Sequence, residues 1–230
     1  MKTILEIQTP LLPDAETYVT GLSRLEDFSV LILAENGGIS SAAVATMLRR
    51  RCEKQMFLKI SCRDRNRIAL HSELLTAAVM GLSDIVLADG THPLHTSFPS
   101  AKPVYELDSL NLLKMLKQNA LSFGDESPAP LASLAWNIGI CIGGATQADM
   151  GRARKFLAAG ADLFFALSLD AVPQLRRLTD KEIFLSVPEE QVTNMSAILQ
   201  QAESAGADGV NLVVMQPDKV LDGTIAARQG

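Results

Sequence analysis

Seven polar side chains fall where strands of purely structural role would carry apolar ones. Glu6 and Gln8 interrupt the run Thr3–Thr9, Lys59 and Ser61 interrupt Gln55–Cys62, and Asp89 ends Asp84–Asp89. Asn137 and Asn211 lie in two later runs of the same kind. Burying a charge is costly unless it is paired or used. A carboxylate and an ammonium drawn from separate segments, such as Glu6 and Lys59, can form a structural ion pair. They can equally furnish a carboxylate whose surroundings suit proton transfer or ligand binding. Both readings are open at the level of the sequence.

Other candidates carry less. His92 lies in the loop after Asp84–Asp89, where a ligand contact and a plain loop position are both open. His71 falls in a helical pattern and reads as a surface or packing residue, and His95 as loop. Gly143–Gly144 precedes a helical pattern whose first N–H groups suit a phosphate, with a tight turn as the plainer reading. Trp136 reads as packing. Cys52, Cys62 and Cys141 match no metal-ligand spacing, so neither a zinc site nor a disulfide framework is expected.

The elements that must position these residues alternate strictly. Short β-branched runs are expected as strands at Thr3–Thr9, Phe28–Glu35, Gln55–Cys62 and Asp84–Asp89, then at Trp136–Gly143, Asp162–Ser168, Glu182–Val187 and Gly209–Met215. Helical patterns lie between them, among them Asp14–Glu26, Ser40–Arg51, Arg65–Met80, Asp108–Asn119, Ala148–Ala158 and Glu189–Ser204. Strand–helix alternation implies a parallel sheet with crossover helices. Eight such units predict an α/β fold that closes as a minimal (β/α)8 TIM barrel, one domain over residues 1–230. An open doubly wound sheet is the alternative. An echo supports repetition: Gly81, Gly160 and Gly206 each end a helix, and Asp84, Asp162 and Asp208 follow just before a strand.

Alternation within strands then sorts inside from outside. Leu5 and Ile7 mark the outer face of the first strand, which turns Ile4, Glu6 and Gln8 inward. Phe57, Lys59 and Ser61 turn inward in the third, Asn137, Gly139 and Cys141 in the fifth, and Asn211 in the eighth. In the fourth the expected inward set is Ile85, Leu87 and Asp89. One reading of the sixth puts Phe164, Ala166 and Ser168 inside.

Composition narrows the function classes. Of 230 residues, 47% are apolar and 20% charged, and the net charge is −5, which is no footprint for nucleic acid or a membrane surface. Arg49–Arg51 is the one basic cluster and reads as the solvated end of a helix. No run of about 18 apolar residues suggests a membrane span. The N-terminus lacks a signal-peptide core, and a cytoplasmic protein is expected.

One stretch resembles a known family. Ser61-Cys62-Arg63-Asp64-Arg65-Asn66, followed by Ala69-Leu70, Ser72 and Leu74-Leu75, is similar to the third-strand signature of bacterial methylenetetrahydrofolate reductases. The resemblance continues through Gly81 and Gly90-Thr91-His92-Pro93 into Ala101–Ser109, and spans about Gln55 to Leu116. Glu6, before Pro10, stands where the family has a glutamate ahead of a proline-rich turn. Beyond residue 120 the likeness is limited mostly to Arg152–Ala161.

The resemblance implies a TIM barrel with FAD at the C-terminal face of the strands. The implied reaction is reduction of 5,10-methylenetetrahydrofolate by NADH or NADPH through the flavin, in one-carbon metabolism. Glu6 would be the general acid. Lys59, Asp89, Gly90, Thr91 and His92 would contact the cofactor, with Tyr105 and Lys155 as phosphate or ring contacts. Gln8 and Asn36 would meet the folate substrate. The implied partners are a folate or pterin, and a partner subunit or a second copy of the chain. Three positions depart from the family pattern: Lys59 replaces a histidine, Thr91 an aspartate and Leu167 a glutamine. At about 1–3 kcal/mol for each lost polar contact, FAD affinity is expected at least about 10²-fold below the family norm. The alternative is a degenerate, non-redox paralogue that binds a folate or pterin or serves as a partner subunit. A barrel enzyme of other chemistry, such as pterin-linked methyl transfer, is a third reading.

Overall fold

A computed structural model describes residues 1–10, 15–35, 38–117 and 135–216. Eight parallel strands close a barrel in chain order. They are β1 (Lys2–Gln8), β2 (Val30–Ala34), β3 (Gln55–Ser61), β4 (Asp84–Ala88), β5 (Asn137–Ile142), β6 (Leu163–Ala166), β7 (Glu182–Pro188) and β8 (Gly209–Val214). Closure is the pairing of β1 with β8, where Lys2 stands opposite Gly209 and Ile7 opposite Val214. The helices between them are α1 (Ala15–Ser23), α2 (Ser41–Arg49), α3 (Arg67–Val79), α4 (Ser109–Lys117), α5 (Gln147–Ala159), α6 (Ala171–Arg176) and α7 (Met195–Ala205). The fold is the (β/α)8 TIM barrel that the strand–helix alternation predicts.

Two apolar bodies hold it. The larger lies between strands and helices and includes Leu5, Ile7, Leu58, Ile60, Ile138 and Ile140. The smaller fills the barrel's lower interior with Ile4, Ile32, Phe57, Val86, Phe165 and Phe184. Phe165 and Phe184 stack with centroids 5.6 Å apart. Gly139 makes room for them, since a Cβ there would lie 2.7 Å from the Phe165 ring. This plug fills the strand halves near their N-termini, so polar residues one turn of the pleat higher face the open end.

The inside–outside expectation holds for β1, β3, β5 and β8 and fails for β4 and β6. In β4, Val86 enters the barrel while Ile85 and Leu87 face the helices. In β6, Leu163 and Phe165 are inside, and Phe164 and Ala166 outside. Both strands are apolar on both faces, so alternation carried no polar mark by which to orient them.

The repeated helix–strand joint is present three times. Gly81, Gly160 and Gly206 take φ of +69°, +96° and +95°, a region other residues rarely occupy. Each joint is clasped by a cation from the end of the preceding helix. Arg49 of α2 donates to the Met80 carbonyl at 2.6 Å, Lys117 of α4 to Asp162 at 2.6 Å, and Arg176 of α6 to the Gly206 carbonyl at 3.0 Å. Asp162 and Asp208 in turn accept the backbone N–H of Ile138 and Ile183, each at 2.8 Å.

Candidate active site

Above the aromatic plug a cavity of about 370 Å³ opens at the C-terminal ends of the strands. Strand pleating brings Glu6 and Gln8 of β1, Lys59 and Ser61 of β3, and Cys141 of β5 to its walls. Ala34, Ala88, Leu167 and Met215 supply apolar surface, and Gly90, Thr91 and His95 come from the segment after β4. Active sites of this fold sit at this end, where loops vary without disturbing the barrel.

Its floor is one polar network. Glu6 forms an ion pair with Lys59 through Oε1. Its Oε2 accepts from Asn211 Nδ2 at 3.0 Å, and the same amide donates to Ser186 Oγ at 3.1 Å. The Glu6 side chain is 8% exposed and that of Lys59 26%, so the pair is buried but reaches the cavity from the lysine end. Burial opposes the charge on Lys59, but the Glu6 carboxylate outweighs it by field and hydrogen bond, and the amine is held above its ordinary pKa. Burial pushes the Cys141 thiol up to about 11, so it is protonated near neutrality. Each Glu6 oxygen thus accepts from one donor. Asn211 Oδ1 is buried with no hydrogen-bond partner among the described residues.

The rim has a second network. Arg65 bridges Glu35 and, at 2.7 Å, Glu73. Glu35 Oε1 also accepts from the Ser41 backbone N–H at 2.6 Å and its hydroxyl at 2.9 Å, which caps α2. Burial raises Glu73 to about 7, against the pull of Arg65 and with the push of Glu35 and Asp64. Glu35 and Asp64 line the cavity, which the sequence reading did not single out. The signal was present in the run Ser61–Asn66, whose charges alternate in sign.

Gly90 shapes the wall. Its φ is +89°, and a Cβ would fall 2.1 Å from Ser61 Oγ and 2.7 Å from Arg63 Cβ. Chain and strand therefore approach here as only glycine permits.

Of the residues that the family resemblance implied as catalytic, cofactor or substrate contacts, five thus meet on one cavity: Glu6, Gln8, Lys59, Gly90 and Thr91. Four do not line it. Asp89 was expected inside the barrel, but with β4 turned the other way it faces α4 and α5. There it accepts from Ser109 N at 3.0 Å and Ser109 Oγ at 2.6 Å, and pairs with Arg152. Burial would raise its pKa, but the Ser109 and Arg152 hydrogen bonds hold it below the ordinary value. His92 accepts from Leu94 N at 3.3 Å, capping a 3₁₀ turn over Pro93–His95, and His95 is the histidine at the cavity. Tyr105 lies under the Arg63 guanidinium, 5.0 Å from the ring centroid, beside an outer groove of about 350 Å³. Lys155 lines another, of about 580 Å³, with Arg152 and Asp108. Asn36 lies outside the described residues. The Gly143–Gly144 turn precedes an α5 end capped by its own Thr146–Asp149 box, and Trp136 is buried packing, 4% exposed.

A volume of about 370 Å³ is near the lower end for small-molecule sites, roughly 300–1,000 Å³. Lys59 gives the cavity a cationic group, and Leu167 and Met215 give it apolar surface. No group of three or more metal-ligating side chains occurs among the described residues, and none of their helices is long and apolar enough to cross a membrane.

No family model and no curated protein matches the chain. Solved structures match at the level of fold. A mutant tryptophan synthase alpha-subunit from Pyrococcus furiosus superposes with a TM-score of 0.66 at 10% identity, over 96% of this chain and 90% of that one. A 2,3-dimethylmalate lyase of the PEP mutase/isocitrate lyase superfamily gives 0.61 at 14% identity, over 98% and 77%. FabK from Thermotoga maritima gives 0.54 at 13% identity over 90% of this chain, which spans 60% of FabK's length. These are TIM-barrel enzymes, and at such identities the likeness is one of architecture.

Proposed function

We propose that the chain is a methylenetetrahydrofolate reductase-like barrel of one-carbon metabolism, holding a folate or flavin ring over Glu6 and Lys59. One observation carries the reading. Residues from the separate segments that bear the family resemblance, Glu6 in β1, Ser61 at the end of β3 with Asp64 beyond it, and Gly90–Thr91 after β4, converge on the wall of one cavity. When bound, a flavin would supply the hydride chemistry. Lys59 and Asn211 fix the Glu6 carboxylate, Leu167 and Met215 cover the ring, and the aromatic plug closes the barrel beneath. The alternative, a non-redox folate-binding paralogue, draws on two features of the same site. Both Glu6 oxygens are already bonded, and all three departures from the family, Lys59, Thr91 and Leu167, line the cavity.

The test is a visible spectrum of the purified protein, then calorimetric titration of the apo-protein with FAD and with folate. Folate binding with FAD binding no tighter than micromolar is the expected result and favours the paralogue. Sub-micromolar FAD binding favours the active reductase. Binding of neither refutes the proposal.

A further inference from the structure

The cavity contains an unspent donor. Lys59 Nζ carries three N–H groups, and among the described residues its hydrogen-bond partner is Glu6. The remaining donors open towards the cavity at a side chain 26% exposed. Two of the other polar side chains there are already engaged, while Ser61 Oγ, a hydroxyl on the wall that can donate or accept, has no hydrogen-bond partner among the described residues. Gln8 Nε2 rests on Met215 Sδ at 3.5 Å, and Glu35 is committed to Arg65 and Ser41. The ammonium has no acceptor capacity, so it can meet only an acceptor.

We infer that Lys59 makes this cavity selective for a ring that presents a carbonyl or enolate oxygen at the floor, and rejects the same ring bearing an amino group there. The inference rests on the folate reading above, in which the oxygen is the 4-oxo group of the pteridine. Lysine stays cationic here, because the Glu6 field offsets the loss of water. A 4-amino group would set N–H against N–H at the cavity floor, where the bound ring itself would take the place of the water that reaches Lys59. Buried donors left without acceptors cost enough to change affinity at least about tenfold, and specificity arises from that penalty as much as from the favoured contact.

The experiment compares folic acid with 4-amino-4-deoxyfolic acid, titrated calorimetrically into the whole chain and into the variant Lys59→Met. The wild type is expected to bind folic acid at least about tenfold more tightly than the amino analogue. Lys59→Met is expected to bring the ratio close to one. Because that variant strands Glu6, the double variant E6Q/K59M, which removes both charges, is measured beside it. Equal binding of the two compounds by the wild type, or a preference that survives in both variants, overturns the inference and leaves the folate reading in place. If the wild type binds neither compound, the folate reading falls and takes the inference with it.

Discussion

The Glu6–Lys59 pair should be unequal in what its two halves cost to remove. Lys59→Met leaves a carboxylate with 8% of its side chain exposed, held by one amide donor at 3.0 Å. Breaking a buried pair in that way costs about 3–5 kcal/mol, because the stranded charge cannot regain water. Glu6→Gln strands the lysine instead, and its 26% exposed side chain can draw water through the cavity. That loss is expected at about 1–2 kcal/mol, the smaller figure allowing for solvent screening. The double variant E6Q/K59M should lose about 1–3 kcal/mol less than the sum of the single losses, since the two residues touch and it strands neither charge. Urea denaturation at pH 7 with unchanged m-values is the assay. A pH series adds a second check. Lys59 is raised in the folded state, so its contribution is complete below lysine's ordinary 10.5 and is lost as pH climbs through the higher folded value. That alkaline loss should vanish in Lys59→Met. The reasoning fails if Glu6→Gln costs as much as Lys59→Met, or if the two losses simply add.

Three further outcomes follow from geometry already given. Gly90→Ala should cost about 2–5 kcal/mol from a left-handed backbone and a Cβ forced against Ser61 and Arg63. Adding Ser61→Ala should recover only part of it, because Arg63 Cβ remains 2.7 Å away; thermal melts of both variants decide this. Glu73 ionises at about 7 when folded against 4.5 as an ordinary glutamate, so the folded state holds its proton longer and loses up to about 3 kcal/mol as pH rises between those values. Glu73→Gln should therefore be more stable than the parent at pH 8 and close to it at pH 4.5, as read by chemical denaturation. Lys117→Met should lose about 1–3 kcal/mol by removing the donor that Asp162 and the Trp136 carbonyl share, with Lys181 remaining 3.9 Å from Asp162, which a melting curve will register.

The barrel was legible because its strands are short β-branched runs with helices between, and all eight fall within two residues of the expected bounds. The floor was legible wherever a polar residue broke the apolar pattern. Glu6, Lys59 and Asn211 each announce an inward face, because a charge or amide among β-branched neighbours has nowhere cheaper to lie. The strand Asp84–Ala88 has no such mark, and that ambiguity misplaced Asp89. Its true partner, Ser109, is 20 residues further on and belongs to a helix end. Such pairings depend on how a helix folds back on its strand, which composition does not record. His92 and His95 exchanged roles for a similar reason. The 3₁₀ turn that points one at the cavity and uses the other as a cap is set by Pro93 and local hydrogen bonds.

The three clasps divide the wall of the barrel into successive blocks, each a helix, a strand, a second helix and a second strand: α2 to β4, α4 to β6 and α6 to β8. Every clasp closes at the end of the barrel away from the cavity, and every seam between blocks passes through the mouth. New chain ends introduced in the segment after β4 or after β6 would leave each block with its cation and glycine intact. Ends introduced between α3 and β4, at Gly81, would sever one. Circular permutants opened at the mouth should therefore fold, and one opened at Gly81 should be impaired. By the same division of labour, insertions and substitutions around the cavity can accumulate over descent while the clasped end conserves the architecture. A lineage built in this way can change what it binds without rebuilding what holds it together.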